Sequence, residues 1–183
     1  FILCALISFQ SKAQYQREID SLKAIIPTVI KDTVQLSKLA QLAFYQSFTD
    51  SVSTFKNTQQ LQQLSAKWNY KPGLAAALRA NANYFIVKRV PQKALPYLIQ
   101  ESQIWQQIKR PIEVAANHAM LGQAYTLSAD YSMATEQFNK AEQLYKQLND
   151  QKSLSALYHN AGAMLTEKTE PKLALIYLIK SLE

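Results

Sequence analysis

Apolar positions in this chain recur on two scales. Within short windows they step by three and four, the spacing of one face of an α-helix. In residues 111–150, Val114, His118, Leu121, Gly122 and Tyr125 keep that step, and after Asp130 it resumes through Ala134, Phe138, Ala141, Leu144 and Leu148. Between windows the columns return at a longer fixed step, set by Gly122 and Gly162 (162 − 122 = 40). That pair continues backwards to Ala82 and Leu42; Tyr45, Phe85, Tyr125 and Leu165 form a second column; Thr54, Ala94, Ala134 and Ala174 form a third; Leu64, Ile104 and Leu144 form a fourth. A fixed period of this size predicts a repeat array, in which each unit buries its apolar face against its neighbours. The fold class predicted is all-α, a stack of helix hairpins with a groove.

Helix-end signals mark the elements. Asp50 and Asp130 suit N-caps, and Glu170 shares their column. Pro91 and Pro171 suit the first turn of the second helix in their pairs, where a missing N–H costs nothing. Pro72 and Pro111 lie near the turns that open new units. Pro96 fits only a helix that begins near Ala94, and otherwise kinks it. The expected organisation is a partial signal peptide at 1–13, a lead segment at 14–30 with its helix over 15–26, and an array over 31–183. The array divides into four pairs, 31–70, 71–110, 111–150 and 151–183. Their helices are expected at 31–48 and 51–68, 71–88 and 92–108, 111–128 and 131–149, and 151–168 and 171–183. The apolar Leu175, Ile176, Leu178 and Ile179 make a poor terminal cap, so the array is expected to continue past Glu183.

Composition narrows the class. Of 183 residues, 48% are hydrophobic and 18% charged, enough for a sizeable core and too few charges for disorder. Only three residues are glycine, which disfavours a turn-rich all-β fold. The net charge is +7, yet the basic residues are scattered. Lys88-Arg89 and Lys109-Arg110 stand at expected helix ends, where cations complement the helix dipole. No basic stripe with interleaved aromatics suggests nucleic acid. Residues Phe1 to Phe9 are almost wholly apolar, and Ser11-Lys12-Ala13 resembles a small-x-small cleavage site. Cys4, the sole cysteine, lies inside that segment, so a processed chain would hold no disulfide and no thiolate metal site.

The segment from His118 to Tyr125, followed by Ala134, Phe138 and Ala141, resembles the tetratricopeptide repeat. So does Ala161-Gly162 with Leu165, Ala174 and Leu178. The resemblance covers about 31–183; in the first pair Leu42 replaces the usual Gly and Thr54 the usual Ala. It implies a right-handed solenoid of antiparallel hairpins. Its structural repeat positions are Ala82, Gly122, Tyr125, Ala134, Phe138, Ala141, Gly162 and Ala174. The small residues let the helices of a hairpin approach, and the aromatics fill the gaps between hairpins. The lead segment Arg17 to Lys23, with Lys31-Asp32-Thr33, looks like the start of exported bacterial repeat domains, which often form the sensor half of membrane-bound histidine kinases or related regulators.

No catalytic set is written in the chain. His118 and His159 miss the lattice step by one (159 − 118 = 41) and so lie in different columns. His118 shares its column with Leu78 and Tyr158 and is expected to pack in the core; His159 is expected on the inner face. Neither has Cys, Asp or Glu three or four residues on, as a metal site would require. No glycine-rich phosphate loop, Gly-x-Ser-x-Gly elbow or paired carboxylates is found. The expectation is a non-enzymatic module with no cofactor and no metal, whose partner is a protein or peptide and not nucleic acid. In the family the first helix of each pair carries the peptide-contacting columns. The resemblance therefore implies a groove lined by Arg79, Asn83, Gln123, Thr126, His159 and Glu167. Arg79 with Asn83 resembles half of a carboxylate clamp, but Met120, Ala156 and Asn160 stand where the other half is wanted. Trp68 and Trp105 are expected in core or inter-repeat packing. The functional expectation is the exported sensory part of a membrane-anchored signalling protein. The alternatives are a free periplasmic or membrane-associated scaffold, and the accessory region of an enzyme whose catalytic domain lies downstream.

Overall fold

The computed structural model describes residues 2–26, 33–167 and 171–181. The side chains of 2–12, Glu167 and Leu173 lie outside that description, as do Lys31 and Glu170 altogether. Among the described residues the chain is all helical, with no strand: α1 (Ile2–Ile25), α2 (Thr33–Gln46), α3 (Ser51–Lys67), α4 (Lys71–Val87), α5 (Pro91–Gln107), α6 (Pro111–Leu127), α7 (Tyr131–Gln147), α8 (Gln151–Glu167) and α9 (Pro171–Lys180). From α3 on, the helix starts are evenly spaced (71 − 51 = 20), so one sequence period is two identical helix-and-turn steps. α1 begins well before the expected residue 15. Pro96 lies inside α5, which starts at Pro91 rather than near Ala94; it is exposed, so water can satisfy the carbonyl its ring leaves unpaired.

The turns are as regular as the helices. Asn69, Arg89, Lys109, Ala129 and Asn149 have φ of 49°, 57°, 54°, 59° and 54°. One left-handed residue thus follows each of α3 to α7, at the same even step as the helix starts (89 − 69 = 20). At the turns after α3, α5, α6 and α7 the Schellman pattern closes the helix. Tyr70, Arg110, Asp130 and Asp150 donate their N–H to Ser65, Trp105, Tyr125 and Tyr145 carbonyls at 2.7, 3.0, 3.0 and 3.0 Å. The next helix is then capped. Asp50 accepts from the Val52 and Ser53 N–H groups, Asp130 from Met133 and Asp150 from Ser153. Pro91 and Pro111 start α5 and α6 where a side-chain cap is absent.

The chain forms two compact units, residues 1–87 and 88–183. The helices expected as one pair over 71–110 belong to different units. In the first unit, α3 packs on α2, and α4 packs on both α2 and α3. In the second unit, two periods further along the chain, α7 packs on α6, and α8 packs on both α6 and α7. This equivalence of two helix trios is the architecture expected of a helical repeat protein. α1 joins the first unit by setting Ile19 and Leu22 against a core of Leu36, Leu39, Leu42, Leu61 and Ala77, with Trp68 packed on it. Tyr15 stacks on Phe48 at 4.6 Å between ring centroids. The second unit's core gathers Ala134, Phe138, Ala141, Tyr145, Leu157, Tyr158, Leu165, Ala174 and Tyr177.

Glycine sets the helix spacing within α6–α7 and α8–α9. A Cβ at Gly122 would run into the Phe138 ring, and one at Gly162 would lie 2.8 Å from Leu178 Cδ2. The same side of α7 buries Ala134, Phe138, Ala141 and Tyr145. The equivalent face of α5 buries Ala94, Leu98, Glu101 and Trp105, so Glu101 stands where α3 has Leu61 and α7 has Ala141. Its carboxylate is fully buried and accepts from Trp105 Nε1 at 2.8 Å and Asn117 Nδ2 at 3.0 Å. A buried carboxylate persists only when donors surround it, and this one ties α5 to α6.

Candidate functional site

In each trio a cavity opens between the first and third helices. In the first unit it lies between α2 and α4, has a volume of about 310 Å³ and is largely apolar; Ser37, Ala40, Phe44, Tyr45, Ala76 and Arg79 line it. Arg79 is half-buried and is the only charged residue lining the cavity among the described ones. In the second unit the cavity lies between α6 and α8 and holds about 130 Å³; Ala119, Gln123, Tyr145, Ser153, Ala156, Leu157 and Asn160 line it. Ala76 and Ala156 stand two periods apart (156 − 76 = 80), so corresponding helices bound the two cavities, while their other lining residues fall in different columns of the repeat. The small side chain is what leaves room at that position.

The residues expected in the groove divide into three groups. Arg79 and Gln123 do line cavities, one in each unit. Asn83 and Thr126 line neither of these two cavities, and both are buried. Asn83 is buried and its Nδ2 donates to Ser47 Oγ at 2.7 Å. Thr126 is fully buried and its hydroxyl donates to the Gly122 carbonyl at 2.9 Å. Burial takes both side chains away from the surface a ligand would reach. His159 is exposed on α8, and the Glu167 side chain lies outside the described residues. His118 is half-buried with Nδ1 2.8 Å from Gln137 Oε1. Burial, reinforced by the Lys140 charge, pushes its pKa down against the Gln137 hydrogen bond, so the ring is neutral at pH 7 and acts as packing.

Ser37, Gln41, Ser153 and Tyr145 were not expected. Ser37 and Gln41 belong to a first pair whose match to the family is weak, and Tyr145 reaches the second cavity from α7, outside the first-helix columns. Asn160 was visible only as a mismatch to the clamp. Among the described residues no group of three or more His, Cys, Asp or Glu side chains is placed to hold a metal ion. No described helix is long and apolar enough to cross a membrane. Comparison with known family models and with curated proteins finds no match for this chain.

Proposed function

We propose that this chain is a non-catalytic protein- or peptide-binding module, a right-handed solenoid of helical hairpins of the tetratricopeptide type. The observation that carries the reading is a cavity between alternate helices in each trio. A cavity between alternate helices of a helical repeat unit can accept an extended or helical segment. The first cavity suits an apolar side chain with a carboxylate close by for Arg79. The second offers the Gln123 and Asn160 amides, each both donor and acceptor, to a peptide backbone. The apolar Phe1–Phe9 run, the Ser11-Lys12-Ala13 site and the lead segment support placing the module outside the cytoplasm, as the sensory part of a membrane-anchored signalling protein.

Selection of binders from a random peptide display library, followed by fluorescence polarisation with the 183-residue chain, tests this. Selected peptides are expected to pair an apolar residue with a carboxylate. Arg79→Ala should weaken their binding about tenfold or more, since a hydrogen bond to a charged group contributes roughly 1.5–3 kcal/mol. Gln123→Ala should weaken it several-fold. A library that yields no binder, or binders indifferent to both substitutions, overturns the reading.

A further inference from the structure

α8 has a second lined face. Ser153, Ala156 and Asn160 look into the small cavity against α6, whereas Gln151, Ser155 and Tyr158 line a different one, of about 460 Å³, with Lys146 of α7 and Lys180 of α9. Beneath the two lysines sits the buried carboxylate of Glu142. Lys146 Nζ is 2.8 Å from its Oε1, and Lys180 Nζ is 2.9 Å from its Oε2. Burial alone would raise the Glu142 pKa, but hydrogen bonds from Lys146, Lys180 and Tyr158 outweigh it and hold the carboxyl ionised.

One cation is enough to neutralise one carboxylate. Here two ammonium groups share Glu142, which leaves one positive charge in surplus (2 − 1 = 1). Each ammonium carries three donors, more than Glu142 alone can accept. Lys180 is further held by Tyr158 and Tyr177, its Nζ 5.4 and 5.6 Å from their ring centroids, so the charge is positioned before any ligand arrives. Around it the cavity offers the Ser155 hydroxyl and the Gln151 amide, neutral groups suited to hydroxyls. The volume lies in the range of small-molecule sites.

We infer that the α7–α8–α9 cavity is a binding site for a small polar molecule that carries one anionic group, a carboxylate or a phosphate monoester, on a hydroxyl-rich body. The site stands independently of the peptide groove, because it uses the opposite face of α8. A purely cationic ligand would meet the surplus charge, and an apolar one would displace water from the ammonium groups and Ser155 without supplying an acceptor in its place.

Isothermal titration of the 183-residue chain with galacturonate, glucose 6-phosphate, glucose and inorganic phosphate tests it. The sugar acid and the sugar phosphate should bind with Kd of about 1 mM or tighter, inorganic phosphate should bind more weakly and glucose not at all. Lys146→Gln removes the surplus charge but leaves Glu142 paired with Lys180, and Lys146 is largely exposed; binding should fall at least tenfold with the melting temperature retained. Ser155→Leu, on an exposed position of α8, should fill the cavity and abolish binding. No heat with either sugar anion, or equal binding by wild type and both variants, overturns the assignment.

Discussion

At the residue scale, two side chains show how narrowly this packing is drawn. Gly122 sits against Phe138 with no space for a methyl group. Gly122→Leu should lose about 1–3 kcal/mol or more by overpacking, read as a fall in urea midpoint; a variant with the wild-type midpoint would refute the close approach of α6 and α7. That contact was foreshadowed by the recurrence of glycine at residues 122 and 162, because a side chain missing at a fixed period marks a place where two helices touch. Glu101 was not. A lone Glu reads as a surface residue, and only its donors, Trp105 on its own helix and Asn117 on the next, make it a buried tie. Asn83 and Thr126 escaped for a related reason. α4, which carries Asn83, packs on two helices, and α6, which carries Thr126, packs on three, so more than one face of each is covered, and periodicity alone cannot say which polar residue faces solvent.

At the element scale, the repeated unit is one 17-residue helix plus a three-residue turn. Helix boundaries were legible within about two residues over most of the array, because Asp50, Asp130, Pro91, Pro111 and Pro171 punctuate them. The turn geometry was hidden, since none of the five left-handed positions is glycine. Ala129 is the exposed case without a polar side chain to ease that conformation. Ala129→Gly should stabilise the protein by about 0.5–1 kcal/mol, relief of left-handed strain exceeding the added unfolded-state freedom. Ala163→Gly, exposed inside α8, should cost about 1 kcal/mol. If both lower the melting temperature equally, the turn assignment fails. The caps add an acid limit. Hydrogen bonds from Ser53 and Ser153 hold the Asp50 and Asp150 carboxyls below the usual carboxylate range. A depressed carboxyl stabilises the fold above its unfolded pKa near 3.9. That contribution disappears as the pH falls through the lower folded value. Urea melts from pH 6 to pH 2 should therefore show a loss beginning near pH 4, and Asp50→Asn should reduce it. An unchanged profile would remove Asp50 as its source.

At the scale of the whole molecule, the division falls in the turn at Lys88 to Val90, three exposed residues that follow α4. Limited trypsin digestion should make its first cut within residues 33–181 after Lys88 or Arg89, while the Lys109–Arg110 bond, inside the second unit, resists longer; the Arg110–Pro111 bond is refractory to trypsin in any fold and is left out of the comparison. Cleavage after Lys109 as early as after Lys88 would argue against two units. The short, equal turns also bear on how the chain is made. Helix contacts within each unit join elements adjacent in sequence or one apart, and the Glu142–Lys180 ion pair spans only 38 residues. Such local topology gives low contact order and folding in roughly microseconds to milliseconds. Synthesis at roughly 5–20 residues per second takes seconds to deliver each further pair of helices. A trio thus has time to close while the ribosome is still extending the chain, and at any moment only the newest helix or two present bare apolar faces to the cell.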